Sequence, residues 1–326
     1  MGATEIVQAV VSPVEKFIEA IARAIGKAYE PRSIRKTAEA KARELELISN
    51  AMQNSDMSIV YNSTGLSIDN SNVEEIAKRA SNRLVFQELT KQHNIEQVAN
   101  IAYEELQNSE PICDEPVSTD WMVRFFNSVE DISDEDMQKI WGHILAGEIK
   151  SPNSYSLRTL EKLRNMTRQE AEHFQHISSL ALKSGDVSFV LQNRDLLQKH
   201  NVVFSHILEL EECGLMNAKV LELTVSIPAN DEKCIYNSGF VALISGKEAN
   251  KNSKIKLSVF NFTESGKQLI KAINPQANQQ YFVDSFAFIR QMNKNIMVKA
   301  HTIKSIEDNG DVIYDKNDLL PPESSD

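Results

Sequence analysis

Glycine is scarce in this chain, at 11 of 326 residues, and the scarcity argues against several chemistries at once. A phosphate-cradling loop needs glycines where backbone wraps an anion. Neither G-x-x-x-x-G-K-[ST] nor G-x-G-x-x-G after a strand occurs, and there is no G-x-S-x-G elbow to expose a serine nucleophile. Cysteine is scarcer still. Cys113, Cys213 and Cys234 are odd in number, far apart and free of C-x-x-C spacing, which fits reduced thiols rather than a disulfide framework or a zinc site. No stretch reaches the roughly 18 uncharged apolar residues a membrane-spanning helix needs. No basic segment leads into an apolar run as in a signal peptide, so the expected location is the cytoplasm. Excess positive charge is missing too. The formal net charge of −11 opposes a DNA-coating role, which depends on basic surface to release counterions.

What is present is aromatic and helical. Asp120 to Lys150 holds both tryptophans and the tightest aromatic cluster. Met137, Ile140, Trp141, Ile144 and Leu145 fall at i, i+3, i+4, i+7 and i+8, one apolar stripe of a helix. Ser133 with Asp136 reads as its N-terminus. Trp121, Phe125, Phe126 and Val129 repeat the pattern upstream, so two helices are expected to pack ring on ring. Each buried ring is worth roughly 2–3 kcal/mol. Trp121, Phe125, Trp141 and Ile144 are therefore assigned to the structural core.

Around this block the chain reads as follows. Residues 3–29 form amphipathic helix with Pro13 as a break or kink, its apolar face set for core or oligomer contact. A basic helix follows, with Ile34, Ala38, Leu45, Ile48 and Met52 as seam. Residues 55–72 make a polar connection or weak hairpin, and a further helical region spans about 73–107. Thr167 and Glu170 form a capping box for a helix to about Lys183. A helix from Val203 to Glu212 ends at Gly214. Strands are expected at 220–227, 240–245 and 254–262, then a helix capped at Thr263. A Phe-rich helix and strands 296–306 and 311–314, turned at Asn309-Gly310, close the fold. Helices, a Gly-Leu turn, strands and a helix in this order match a winged-helix module.

Candidate chemistry is thin. Glu170, His173 and His176 share one helical face, the Glu-x-x-His pairing of di-iron bundles. The second copy such a site needs is absent, so no metal is assigned. His143 on the Trp141 helix reads as a satisfied core histidine rather than a general base. Lys247, Lys251, Lys254 and Lys256 could form a basic wing, and Lys251, Lys254 and Lys256 are the residues of a nucleic-acid alternative. Glu209, Glu211 and Glu212 on the presumed recognition helix oppose it.

The opening SPVEKFIEAIARAIGKAYEPRSIRKTAEAKARE and the block WMVRFFNSVEDISDEDMQKIWGHILAGE resemble bacterial domain-of-unknown-function proteins. Y-E-P-x-x-I-R-K-x-A-x-A-K-A and F-T-E-S-G-K-Q-L are similar to the abortive-infection alpha proteins of phage defence. The resemblance covers most of residues 1–180 and, more loosely, 200–275. It implies a bacterial cytoplasmic protein acting as a defence sensor or effector, and brings no catalytic residues with it.

The expected fold is mostly α. An all-α core and oligomerisation domain (1–150) precedes a winged-helix-like α+β domain (155–275), a C-terminal helix plus β-hairpin (280–314) and a disordered tail (315–326). The expected function is that of a non-enzymatic interaction protein, homo-oligomeric, with a protein partner or phage component and no cofactor, metal or catalytic residue. The alternatives are a winged-helix nucleic-acid-binding regulator and an enzyme whose site leaves no motif.

Overall fold

Proline at position 13 begins a helix instead of bending one. In the computed structural model, which describes residues 10–25, 61–62, 65–66, 70–107, 109–110, 112–113, 115–248, 250–307 and 311–319, α1 (Pro13–Ile25) follows directly on β1 (Val10–Val11). Proline suits the first helical position because its missing N–H would have no partner there. The chain divides into two units, residues 1–160 and 161–326. The expected helix over 34–52, the Asn309-Gly310 turn and residues 320–326 of the expected disordered tail (315–326) lie outside the described residues, whereas residues 315–319 of that tail are strand.

The first unit continues with β2 (Tyr61–Asn62) and β3 (Gly65–Leu66), paired antiparallel, then α2 (Asn70–Gln107) and β4 (Ile112–Cys113), which pairs with β1. Next come α3 (Thr119–Val129) and α4 (Glu135–Lys150), and α5 (Leu157–Arg164) carries the division between units. The apolar face of α1 is used inside this unit, with Phe17 and Ile21 fully buried and α1 packed on α2, α3 and α4. Trp121, Phe125, Trp141 and Ile144 are all buried. The Trp121 and Phe125 rings stack at 5.0 Å, and Phe125 meets Trp141 edge to face at 5.4 Å. The cap of α4 is Asp134, whose carboxylate accepts from the Asp136 and Met137 N–H groups at 3.1 and 3.0 Å. Ser133, the expected cap, instead accepts from Asn94 Nδ2.

The second unit opens with α6 (Arg168–Ser179), and Thr167 and Glu170 close the expected capping box. Then follow β5 (Leu182–Ser184), β6 (Val187–Leu191), α7 (Arg194–Lys199), α8 (Phe204–Glu212), β7 (Met216–Ile227), β8 (Glu232–Tyr236), β9 (Phe240–Gly246) and β10 (Ser253–Phe262). The chain ends with α9 (Glu264–Ile273), α10 (Gln279–Met292), β11 (Ile296–Ile306) and β12 (Val312–Leu319). The strands form one eight-stranded antiparallel sheet in the order β12-β11-β9-β8-β5-β6-β10-β7.

This overturns the expected fold class. The first unit is not purely helical, since β1 pairs with β4. The second is not a small winged helix but an extended sheet with helices packed against it. The terminal hairpin is part of that sheet, because β11 pairs with β9 from Ile296↔Gly246 to Thr302↔Phe240. Three strands of the eight-stranded sheet escaped the sequence reading for physical reasons. β5 has three residues, β6 is buried along Phe189, Val190 and Leu191 with no alternation, and β8 (EKCIY) opens with two charges. The helix from Thr167 stops at Ser179 because Leu182–Ser184 join the sheet. Among the described residues, no helix is long and apolar enough to cross a membrane.

Candidate functional site

An apolar residue stands where α8 would ordinarily have a polar cap. Val203 takes the N-cap position without a side-chain hydrogen bond, and Phe204, the first helical residue, is 54% exposed. Such exposure costs solvation unless something covers it. The preceding turn fixes these two residues in place. Asn193 caps α7, its Oδ1 accepting from the Leu196 N–H at 2.8 Å. Asn201 adopts the left-handed conformation, φ 59°, and lets the Val202 N–H return to the Leu197 carbonyl at 2.9 Å. Asparagine is one of the few residues that accept this geometry.

Across from this turn, β7 and β10 slip out of register. Val259 is opposite Leu221, but Asn261 is opposite Asn217. Two residues of β10 are thus matched by four of β7, and the extra residues form a bulge of the kind that re-aims side chains. Its effect is a pocket of about 590 Å³ between Leu197, Val202 and Phe204 on one side and Ala218, Val220 and Phe260 on the other. The Phe204 and Phe260 rings lie 5.8 Å apart. Val203 and Val220 are 42% and 52% exposed. Gln192, Asn193, Arg194 and Gln198 supply the polar lining, and the Gln192 N–H is tied to the Ser258 carbonyl at 2.8 Å. The volume and the mostly apolar walls with a few polar groups suit a small-molecule site.

Beside the pocket helices runs a seam of histidines. His173 on α6 bonds Glu209 on α8 through Nδ1, and its ring stacks on His206 at 4.1 Å. Burial first, then the neighbouring His173, lowers the pKa of His206. His176 Nε2 donates to the His200 carbonyl at 2.8 Å. Glu170 stays with its capping box. The three residues of the Glu-x-x-His reading therefore have three different partners. Among the described residues no group of three His, Cys, Asp or Glu side chains could hold a metal ion. The Cys213 thiol is pushed up to about 12 by burial and then by Glu170, which makes it a poor nucleophile.

Asp284 anchors the end of α7. It accepts from Lys199 Nζ at 2.8 Å, His200 Nε2 at 2.9 Å and Gln280 Nε2 at 3.0 Å. Burial alone would raise its pKa, but the bonds from Lys199, His200 and Gln280 outweigh burial and hold it below the usual carboxylate value. A carboxylate depressed on folding stabilises the fold above its unfolded pKa, near 4, and loses that contribution as pH falls through the folded value. Asp284→Asn should therefore cost on the order of 1 kcal/mol at pH 7. Denaturant titration across pH should show the gap to wild type closing below about pH 4. A gap that persists undiminished into acid would contradict this assignment.

The remaining sequence candidates lie elsewhere. Lys254 and Lys256 are on the exposed face of β10. Lys256 pairs with Glu222 at 2.7 Å and Lys251 with Glu248 at 3.5 Å, so acidic neighbours offset that stretch. His143 is not a core residue. Its side chain is 44% exposed, and Nδ1 lies 2.7 Å from Glu105, which also accepts from Lys150 at 2.7 Å. The pocket residues were missed by sequence reading. Their one visible sign was the apolar Val202-Val203-Phe204 run where a helix cap was due, whereas the bulge at Ala218–Val220 leaves no pattern.

The family model described as "Protein of unknown function (DUF2806)" matches residues 78–285, well over half of the chain. No curated protein and no solved structure matches.

Proposed function

We propose that this chain, which belongs to the DUF2806 family of proteins of unknown function, is a non-enzymatic sensor whose second unit recognises a ligand in the pocket between α7, α8 and the β7 bulge. The observation that carries this reading is the convergence of Val203, Phe204 and Val220, three exposed apolar residues, on one preformed pocket. Similarity of the segments YEPRSIRKTAEAKA and FTESGKQL to the abortive-infection alpha proteins supports placing the sensor in bacterial anti-phage defence, in the cytoplasm. Self-association as a homo-oligomer is part of the proposal. It is supported by the stretch of α2 from Ile76 to Leu89, where Ile76, Leu84, Phe86 and Leu89 are exposed.

A phage challenge tests the proposal in cells carrying the gene, lacking it, or carrying Phe204→Glu with Val220→Lys. Both positions are surface-exposed, so the double variant should keep the wild-type melting temperature within a few degrees. The expected result is protection by wild type and at least a tenfold loss of protection by the variant. Equal protection by both would remove the pocket from the function, and no protection by wild type would remove the defence role.

A further inference from the structure

We propose that the pocket selects an amphiphilic carboxylate, a single alkyl or aromatic body carrying one anionic head, with the body against Phe204, Val220 and Phe260 and the head at Arg194. The inference rests on the reading of this pocket as a ligand site and adds the class of ligand. Its polar lining comes from Gln192, Asn193 and from Arg194 and Gln198 of α7, while the rest of the wall is apolar. A ligand matching that division has one polar group and one apolar body. Arg194 and Gln198 are four residues apart and so share one face of α7.

The sign of the polar group follows from Arg194. Among the described residues that line the pocket it is the single charged one. Arg194 is exposed and forms no ion pair among the described residues, Asp195 beside it included, so its planar fork of donors is open to match a carboxylate bidentately. A cationic head would meet like charge there. A wholly apolar ligand would gain nothing from the exposed guanidinium at the rim. A polyphosphate would find one cation and otherwise hydrocarbon.

The test uses the full-length protein and four probes, with decanoate kept below its micellar concentration. N-phenyl-1-naphthylamine, which is neutral and fluoresces in apolar sites, reports occupancy. Decanoate, 1-decanol and decyltrimethylammonium share a tail and differ in the head. Decanoate should displace the dye at a concentration at least tenfold below that of decanol, and decyltrimethylammonium should be weaker than decanol. Arg194→Gln should bring decanoate down to the level of decanol and leave decanol unchanged, while Val220→Lys should abolish dye binding. Decanoate no better than decanol, or a preference that survives Arg194→Gln, overturns the carboxylate assignment. If the dye still binds and is lost in Val220→Lys, the pocket reading stands while the ligand class falls. If the dye does not bind wild type, or binds Val220→Lys equally, both fall.

Discussion

Trp141→Ala should destabilise the first unit by about 3–5 kcal/mol through lost burial and the cavity left behind. That is a large share of the roughly 5–15 kcal/mol that holds a typical domain together. Trp141 is fully buried and meets Phe125, which in turn stacks on Trp121. Removing the indole therefore unsupports a three-ring column rather than one contact. Both tryptophans of the chain belong to this unit, so the remaining Trp121 reports its unfolding by fluorescence. A finer comparison separates packing from hydrogen bonding. Trp121 Nε1 donates to the Tyr155 carbonyl at 2.7 Å, whereas Trp141 Nε1 is buried with no hydrogen-bond partner among the described residues. Trp121→Phe forfeits a bond and strands an acceptor. Trp141→Phe removes a donor whose burial already costs about 1–3 kcal/mol. Trp141→Phe should thus be the milder of the two, and Trp141→Ala far worse than either. An unchanged melting temperature for Trp141→Ala would make Trp141 a surface residue and dismantle this account of the core.

The aromatic column was legible because a helix of period 3.6 repeats its apolar face often enough to be read from either side of Ser133. Local capping chemistry was legible for the same reason: Thr167 with Glu170, Thr263 and Gly214 each act within a few residues of themselves. The sheet was not. β5 and β6 form a local hairpin, but the sheet then joins β5 to β8 and β6 to β10, and these partners are distant in sequence. A short strand such as Leu182–Ser184 gains its stability from neighbours rather than from its own pattern. Long strands with clear alternation, such as Ser253–Phe262, were visible, and their count suggested a small wing because the unpatterned ones between them were not. The pocket was hidden for a related reason. Val220 looked like the start of an ordinary strand, and only the slip between Val259 and Asn261 shows that it leaves the ladder and lines a pocket.

Gly266→Ala should be nearly as damaging to the second unit, although alanine is the better helix former by about 1 kcal/mol. Thr263 caps α9, its Oγ1 accepting from the Gly266 N–H at 3.2 Å and donating to the Gly214 carbonyl at 2.7 Å. Its own N–H donates to the Leu215 carbonyl at 2.9 Å. The first turn of α9 is thereby pinned onto the Gly214-Leu215 turn, and a Cβ on Gly266 would lie 2.2 Å from the Leu215 oxygen. That neighbour is backbone, so no rotamer change relieves the clash. Leu215 is itself held by its N–H to the Leu210 carbonyl at 2.8 Å, after Gly214 at φ 69°. Either α9 lifts and loses both Thr263 bonds to this turn, or the end of α8 moves with the start of β7. Overpacking of this kind costs about 3 kcal/mol. Hydrogen exchange should show the loss as faster exchange at Thr263, Leu215 and the first residues of β7. Ser265→Ala offers a control at the adjacent position, expected to cost less than half as much because it adds no atom. A Gly266→Ala protein that melts at or above the wild-type temperature would mean that the close approach of α9 to Leu215 is not what fixes this junction.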